Sequence, residues 1–190
     1  MIERFFNESI ALKQNILNDA ELMALIYRVA DVCKAAVVDG KKIILAGNGG
    51  SFADAQHIAA EFTGRFLVER PSLPAIALGC NSSSMSAIGN DYGFDQTFSR
   101  ELSSLGVAGD VFLPISTSGN SANILAAVDV AIQKGIHVFG LTGYAGGKMA
   151  AMCPCIQVPS GSTPRIQEVH ILIGHSICGY VEHALYPSLN

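Results

Sequence analysis

Apolar residues along this chain fall into two rhythms. From Leu22 to Val37 they recur at Leu22, Leu25/Ile26, Val29, Val32/Cys33 and Ala36/Val37, the spacing of a helix with one buried face. Asn18-Asp19 offers a cap ahead of it and Gly40 a stop behind it. A shorter helix with Phe5, Phe6 and Ile10 precedes it. The second rhythm is continuous. The runs "KIILAG", "PAIAL", "DVFLPIS", "HVFGLTG" and "CIQVPS" are short, apolar and rich in β-branched residues. Such runs predict strands buried on both faces, hence a parallel sheet. Helical patterns fill 52–66, 94–105, 121–133, about 145–152 and 163–186. The expectation is an α/β fold with a five-stranded parallel sheet, doubly wound, in one domain spanning 1–190. Two helices before the first strand are more cover than a small sheet needs, so they pack on the core or on a partner subunit. Ligands of such sheets bind beyond the carboxyl ends of the strands. That singles out the loops 47–51, 79–91, 116–121 and 142–147.

Composition narrows the function classes. The chain has 190 residues, of which 49% are hydrophobic, enough for one domain with a sizeable core. Formal net charge is -4, and no basic block exceeds the pair Lys41-Lys42. A nucleic-acid partner is not expected without a basic stripe, nor is a membrane surface. Cys33, Cys80, Cys153, Cys155 and Cys178 form an odd set without framework spacing. They read as reduced thiols of a cytoplasmic protein. Asn7, Glu8 and Ser9 interrupt any signal-peptide core. "VHILIGHSICGYVEHAL" holds histidines and a glutamate, and is too short and polar to cross a bilayer.

The loops carry the chemistry. Gly47-Asn48-Gly49-Gly50-Ser51 joins a strand to a helix, where a turn of small residues and a helix N-terminus suit an anion. A dinucleotide fingerprint fails because its third glycine falls at Phe52, and a Walker A motif fails for want of a lysine. A tight turn without a ligand remains open there. "ISTSGNS" places Ser116, Thr117, Ser118 and Ser121 between a strand and a helix. Those hydroxyls, with the amides of Ser118 to Asn120, suit a phosphate monoester better than simple capping requires. His57 and Glu61 share a helix face, a spacing that more often makes a surface ion pair than a site. The last helix is apolar on nearly every side yet includes Gln167, Glu168, His170 and His175. Buried polar groups need partners, so His175 either bonds a backbone carbonyl or serves a site.

Together, "GNGGSFADAQHIAAEFTGRF", "AIGNDYGF", "ISTSGNSANI", "LTGYAGG" and "RIQEVHILIGH" resemble the phosphoheptose isomerases over almost the whole chain. The resemblance implies a sugar-isomerase (SIS) fold related to flavodoxin-like sandwiches, and a homotetramer with sites at subunit interfaces. It implies conversion of D-sedoheptulose 7-phosphate, a sugar-phosphate substrate, to D-glycero-D-manno-heptose 7-phosphate for lipopolysaccharide or capsule precursors. By motif position, Asn48, Gly49, Gly50, Asn90, Asp91 and Gln167 match substrate contacts. Ser116, Thr117, Ser118 and Ser121 match the phosphate loop. Glu61 matches a catalytic base that also touches substrate, and His175 a catalytic acid. His57, Glu61, Gln167 and His175 match the ligands of a zinc ion. Gly79-Cys80-Asn81 and Pro164 depart from the family pattern, which bears on sugar recognition. The residue types suit the chemistry, since a ketose–aldose shift needs one base to move a proton between carbons and a second group at the oxygens. Spacing alone does not choose Gln167 over Glu168, and from Gln167 to His175 a helix rises about 12 Å. Two alternatives remain. One is a non-catalytic binding protein of the DnaA initiator-associating type. The other is a phosphosugar-sensing domain, although no basic helix-turn-helix precedes Lys41.

Overall fold

The computed structural model describes residues 1–187. Helices α1 (Ile2–Asn18) and α2 (Ala20–Val38) are separated at Asp19, whose carboxylate accepts from the backbone N–H of Glu21 and Leu22. Both sequence signals at α2 hold, because Gly40 takes a positive φ just beyond its end. The chain continues as β1 (Ile43–Gly47), α3 (Gly50–Thr63), β2 (Ala75–Ala77), α4 (Ser82–Tyr92), α5 (Thr97–Leu105) and β3 (Val111–Ile115). It closes with α6 (Ala122–Gln133), β4 (His137–Val138), β5 (Gly140–Gly143), β6 (Cys155–Val158) and α7 (Thr163–Leu185). All strand pairs are parallel and the sheet order is β2-β1-β3-β5-β6, with β4 beside β3.

Alternate residues of β1 explain the unbroken apolar run. Ile43 and Leu45 enter a core formed with α2, α3 and α7, while Ile44 and Ala46 enter another formed with α5 and α6. Both faces are therefore dry. Each predicted strand is present, but the fourth is broken into β4 and β5 at Phe139. The interruption faces Leu113 and Pro114 of β3, and proline has no N–H for the ladder.

Two expectations need correction. The segment 79–91, read as a loop, forms α4 from Ser82, with Asn81 capping Ser84 N–H at 3.1 Å. Its serine-rich start lacks an apolar period because no residue of α4 is buried. The helix read at 145–152 is only a short turn at Met149–Ala151, since Gly146 and Gly147 both take positive φ.

On α7, His170 is buried and its Nε2 lies 3.2 Å from the Thr142 carbonyl oxygen. Burial depresses its pKa from 6.5 to about 4, partly opposed by that carbonyl. The neutral ring is the folded form, so the unfolded chain binds the extra proton between those values and stability falls as pH drops through the window. The contribution is complete above pH 6.5 and amounts to ~3 kcal/mol. Denaturant titrations from pH 7 to 4 should show this loss, and His170→Asn should flatten it.

Candidate active site

The sheet order changes direction between β1 and β3, which places the ligand crevice beyond their carboxyl ends. The loop after β1 reaches it through Gly49, at φ 57, a backbone state most side chains avoid. Gly50 is needed for space, because a Cβ there would lie 2.7 Å from the Gln167 amide nitrogen. Asn48 is locked to Asn123 on α6 by two reciprocal amide bonds of 2.9 Å. This pair joins the loop after β1 to the first turn of α6.

In the second loop Ser121 is the N-cap residue of α6, yet its hydroxyl makes no cap bond. It lies 3.0 Å from the hydroxyl of Ser116 instead. Thr117 and Ser118 line a neighbouring depression with Asn120, Tyr144 and Ser160. The Ser118 hydroxyl oxygen accepts the Asn120 N–H at 3.2 Å. The first amides of α6 lack a side-chain acceptor and keep their affinity for an anion.

α3 and α7 supply the titratable groups. Gly174 lets the helices touch, since a Cβ there would lie 2.3 Å from Ile58 Cδ1. The next residue, His175, consequently faces His57, with Nε2 atoms 3.4 Å apart. The same His57 nitrogen lies 2.9 Å from Glu61 Oε1. Ligand atoms of His57, Glu61 and His175 all fall within 4.8 Å of one another. A neutral imidazole carries one proton, so Nε2 of His57 cannot donate to both neighbours. A cation would satisfy all three groups. The edge of a tetrahedron around zinc is about 3.4 Å for metal–nitrogen bonds near 2.05 Å, the separation of the two imidazole nitrogens.

The remaining sequence candidates lie elsewhere. Gln167 points to the head of α3, with its amide nitrogen 3.4 Å from Ser51 Oγ. Ser51 precedes His57 by six residues, about 9 Å along the helix, so the amide borders the glycine loop. Asn90 and Asp91 sit on the last turn of α4, exposed and bonded to each other at 2.8 Å. Of the two options open for His175 in the sequence, the structure realises the shared cluster; the carbonyl partner belongs to His170.

The SIS domain family matches residues 4–143. A phosphoheptose isomerase of Aneurinibacillus thermoaerophilus is 54% identical, covering 97% of this chain and 94% of its own length. Phosphoheptose isomerase 2 of Campylobacter jejuni is 52% identical, covering 97% and 92%. The chain belongs to the phosphoheptose isomerase family. A solved phosphoheptose isomerase from Neisseria gonorrhoeae matches with a TM-score of 0.87 at 44% identity, covering 95% of this chain and 96% of that one. Another, from Francisella tularensis, gives 0.90 at 36%, covering 96% of both. The initiator-associating alternative is not favoured, because the relatives named here are isomerases and this chain keeps His57, Glu61 and His175 together.

Sequence reasoning missed several neighbours of the phosphoheptose isomerase site. Asn123 pairs with Asn48, and Phe66 stacks on the His175 ring with centroids 5.4 Å apart. Asp54, one turn before His57, has a buried oxygen without a partner, and burial raises its pKa while His57 acts to lower it. Arg70 and Glu182 form an ion pair at 2.8 Å with both side chains 1% exposed. Asp54, Phe66 and Asn123 lie within the motifs quoted above without having been singled out, whereas Arg70 and Glu182 lie outside them. The nearest hint is composition, since an arginine and a glutamate facing apolar surroundings require each other.

Gly50→Ala tests the crowding at the loop. The added methyl meets only the mobile end of Gln167, so the fold should survive with a Tm change of a few degrees at most. Displacing Gln167 from the loop should lower kcat/KM by roughly tenfold or more. Thermal melts beside steady-state kinetics check both halves.

Proposed function

We propose that this protein interconverts D-sedoheptulose 7-phosphate and D-glycero-D-manno-heptose 7-phosphate. The observation that carries this reading is one carboxylate and two imidazoles gathered where α3 meets α7, in a member of this family. The phosphate sits at Ser116, Thr117, Ser118, Ser121 and the amides opening α6. Asn48, Gly49, Gly50 and Gln167 hold the sugar chain. Glu61 takes the proton from C1 of the open-chain ketose and returns it to C2 through a cis-enediol. His175 moves the proton between the two oxygens.

Zinc belongs to the same proposal, with His57, Glu61 and His175 as ligands; Gln167, the fourth that the resemblance implies, has its amide at the glycine loop. When bound, it supplies positive charge that polarises the sugar oxygens. One oxygen of Glu61 is enough for a metal, which leaves the other for the carbon-bound proton. The set has no thiolate, so it should release its ion to a chelator without unfolding. Metal analysis of protein purified without chelator should find one zinc per chain. Less than about a tenth of an equivalent after zinc reconstitution would remove the assignment.

The active assembly is a homotetramer with sites between subunits. Exposed apolar residues on α1, including Ile2 at 73% and Phe6 at 67%, support an interface there. Asn90 and Asp91 then reach substrate across a subunit boundary rather than within one chain. The product feeds lipopolysaccharide or capsule precursors in the cytoplasm, a setting that unpaired thiols tolerate. Among the described residues no helix is long and apolar enough to cross a membrane.

Kinetics separate the roles. Glu61→Gln keeps size and removes the base, so kcat should fall by at least roughly 10²-fold with KM little changed. Ser118→Ala with Ser121→Ala removes contacts to a phosphate whose charge is constant through the reaction, so KM should rise with kcat nearly intact. Steady-state rates with sedoheptulose 7-phosphate distinguish these patterns. Solvent-deuterium exchange at C1 persisting in Glu61→Gln would remove Glu61 from the base role.

A further inference from the structure

The carboxyl end of α3 and the loop behind it are held by a single ion pair. Arg70 donates from Nη2 to the Glu61 carbonyl oxygen at 2.7 Å and from Nη1 to the Phe62 carbonyl oxygen at 2.9 Å. Nη1 also reaches the carbonyls of Gly64 and Pro71, while Nε donates to Glu182 at 2.8 Å. Carbonyls in the last turn of a helix lack partners within it, so Arg70 completes α3 at the residue that carries the base. Glu182 accepts the N–H groups of Phe66, Leu67 and Val68 at 3.0, 2.7 and 3.1 Å. Burial acts against its charge, but the N–H groups of Leu67, Phe66 and Val68 and the Arg70 guanidinium prevail and hold its pKa low.

Each end of this network reaches the site. The Glu61 carbonyl is gripped directly. Phe66, fixed through its N–H by Glu182, lies over His175 with ring planes 28° apart. Glu182 is two turns beyond His175 on α7, so the same helix bears the histidine and the anchor of the ring covering it.

We propose that Arg70 and Glu182 are positioning residues of the isomerase, and that Phe66 transmits their hold to His175. The proposal rests on the isomerase reading above. Neither residue touches the reacting atoms. Where the Gly174–Ile58 contact fixes how closely the helices approach, they hold the end of α3 that bears Glu61 and the ring that covers His175. Stability alone does not demand charge here, because a buried ion pair can often be replaced by apolar groups of similar volume without loss. What an apolar pair cannot do is bond the carbonyls of α3 and the amides of 66–68 together. The function of the charge is therefore geometric.

The double variant Arg70→Met/Glu182→Leu separates structure from positioning. It should fold, form the same assembly as the parent chain, and show kcat lowered at least roughly tenfold with KM within about twofold. Phe66→Leu keeps the ion pair and should give a smaller fall in kcat of the same kind. A second readout is independent of turnover. In chelated full-length protein, the His175 ring C–H resonances should be shifted upfield by the Phe66 ring current. That shift should vanish in Phe66→Leu and shrink in the double variant. Should the double variant fail to fold, Glu182→Gln and Phe66→Leu are read by the same two measurements. A folded variant lacking the ion pair, with parental kcat and an unshifted histidine signal relative to the parent, would overturn the proposal. Absence of turnover in the parent chain would instead sink the isomerase reading, and the histidine resonances would still decide the positioning.

Discussion

At Gly174 the Ile58 side chain occupies the space where a Cβ would stand, and this contact sets how closely α7 approaches α3. Any larger residue would separate the helices by about the thickness of a methyl group or require Ile58 to move. His57 and Glu61 lie on α3, and His175 follows the contact by a single residue on α7. A shift of about an ångström would lengthen the 3.4 Å approach of the imidazoles beyond what one cation can bridge. The cluster is thus a consequence of apolar packing, and its chemistry depends on a glycine that has no chemistry.

The sheet sets the other coordinate. With both faces buried, polar groups can gather only beyond the strand ends, and the reversal between β1 and β3 opens the crevice there. The Asn48–Asn123 amide pair ties the loop after β1 to the first turn of α6 across that crevice. Each amide leaves one oxygen lone pair and one N–H uncommitted by this exchange. The loop is held and can still meet a polar ligand.

Much of this was legible in the chain. The continuous apolar runs gave the parallel sheet because burial on both faces leaves no alternation, and Asp19 and Gly40 marked helix ends through ordinary cap chemistry. α4 was not legible, since Ser82 to Ser84 carry no apolar period and the helix buries no residue. Of the candidate residues, His57 and Glu61 were placed on one helix face by spacing. Their union with His175 is a tertiary fact that spacing could not supply. The rise from Gln167 to His175 separates the two along α7, and the Gln167 amide lies at the glycine loop. Arg70 was silent because its partners are mostly backbone oxygens, which any sequence provides.

α7 shows how an almost wholly apolar helix carries polar residues without instability. Glu168 meets Ser9, Lys13 and Arg165, tying α1 to the body. His170 stays neutral against a carbonyl, and Glu182 is charged within a cage of amides and Arg70. Leaving one partner of such a buried pair unmatched costs about 3–5 kcal/mol, and an unmet neutral group about 1–3 kcal/mol. Glu168 and Glu182 therefore have their demands met inside the chain, while buried His170 pairs Nε2 and leaves Nδ1 without a partner. His175 differs. Its contacts are an imidazole nitrogen that Glu61 also engages and the face of Phe66, and it keeps part of its ring exposed. His170 also keeps one nitrogen unpartnered, but inside the dry core; His175 is half-exposed, where a metal ion or a sugar oxygen can complete it.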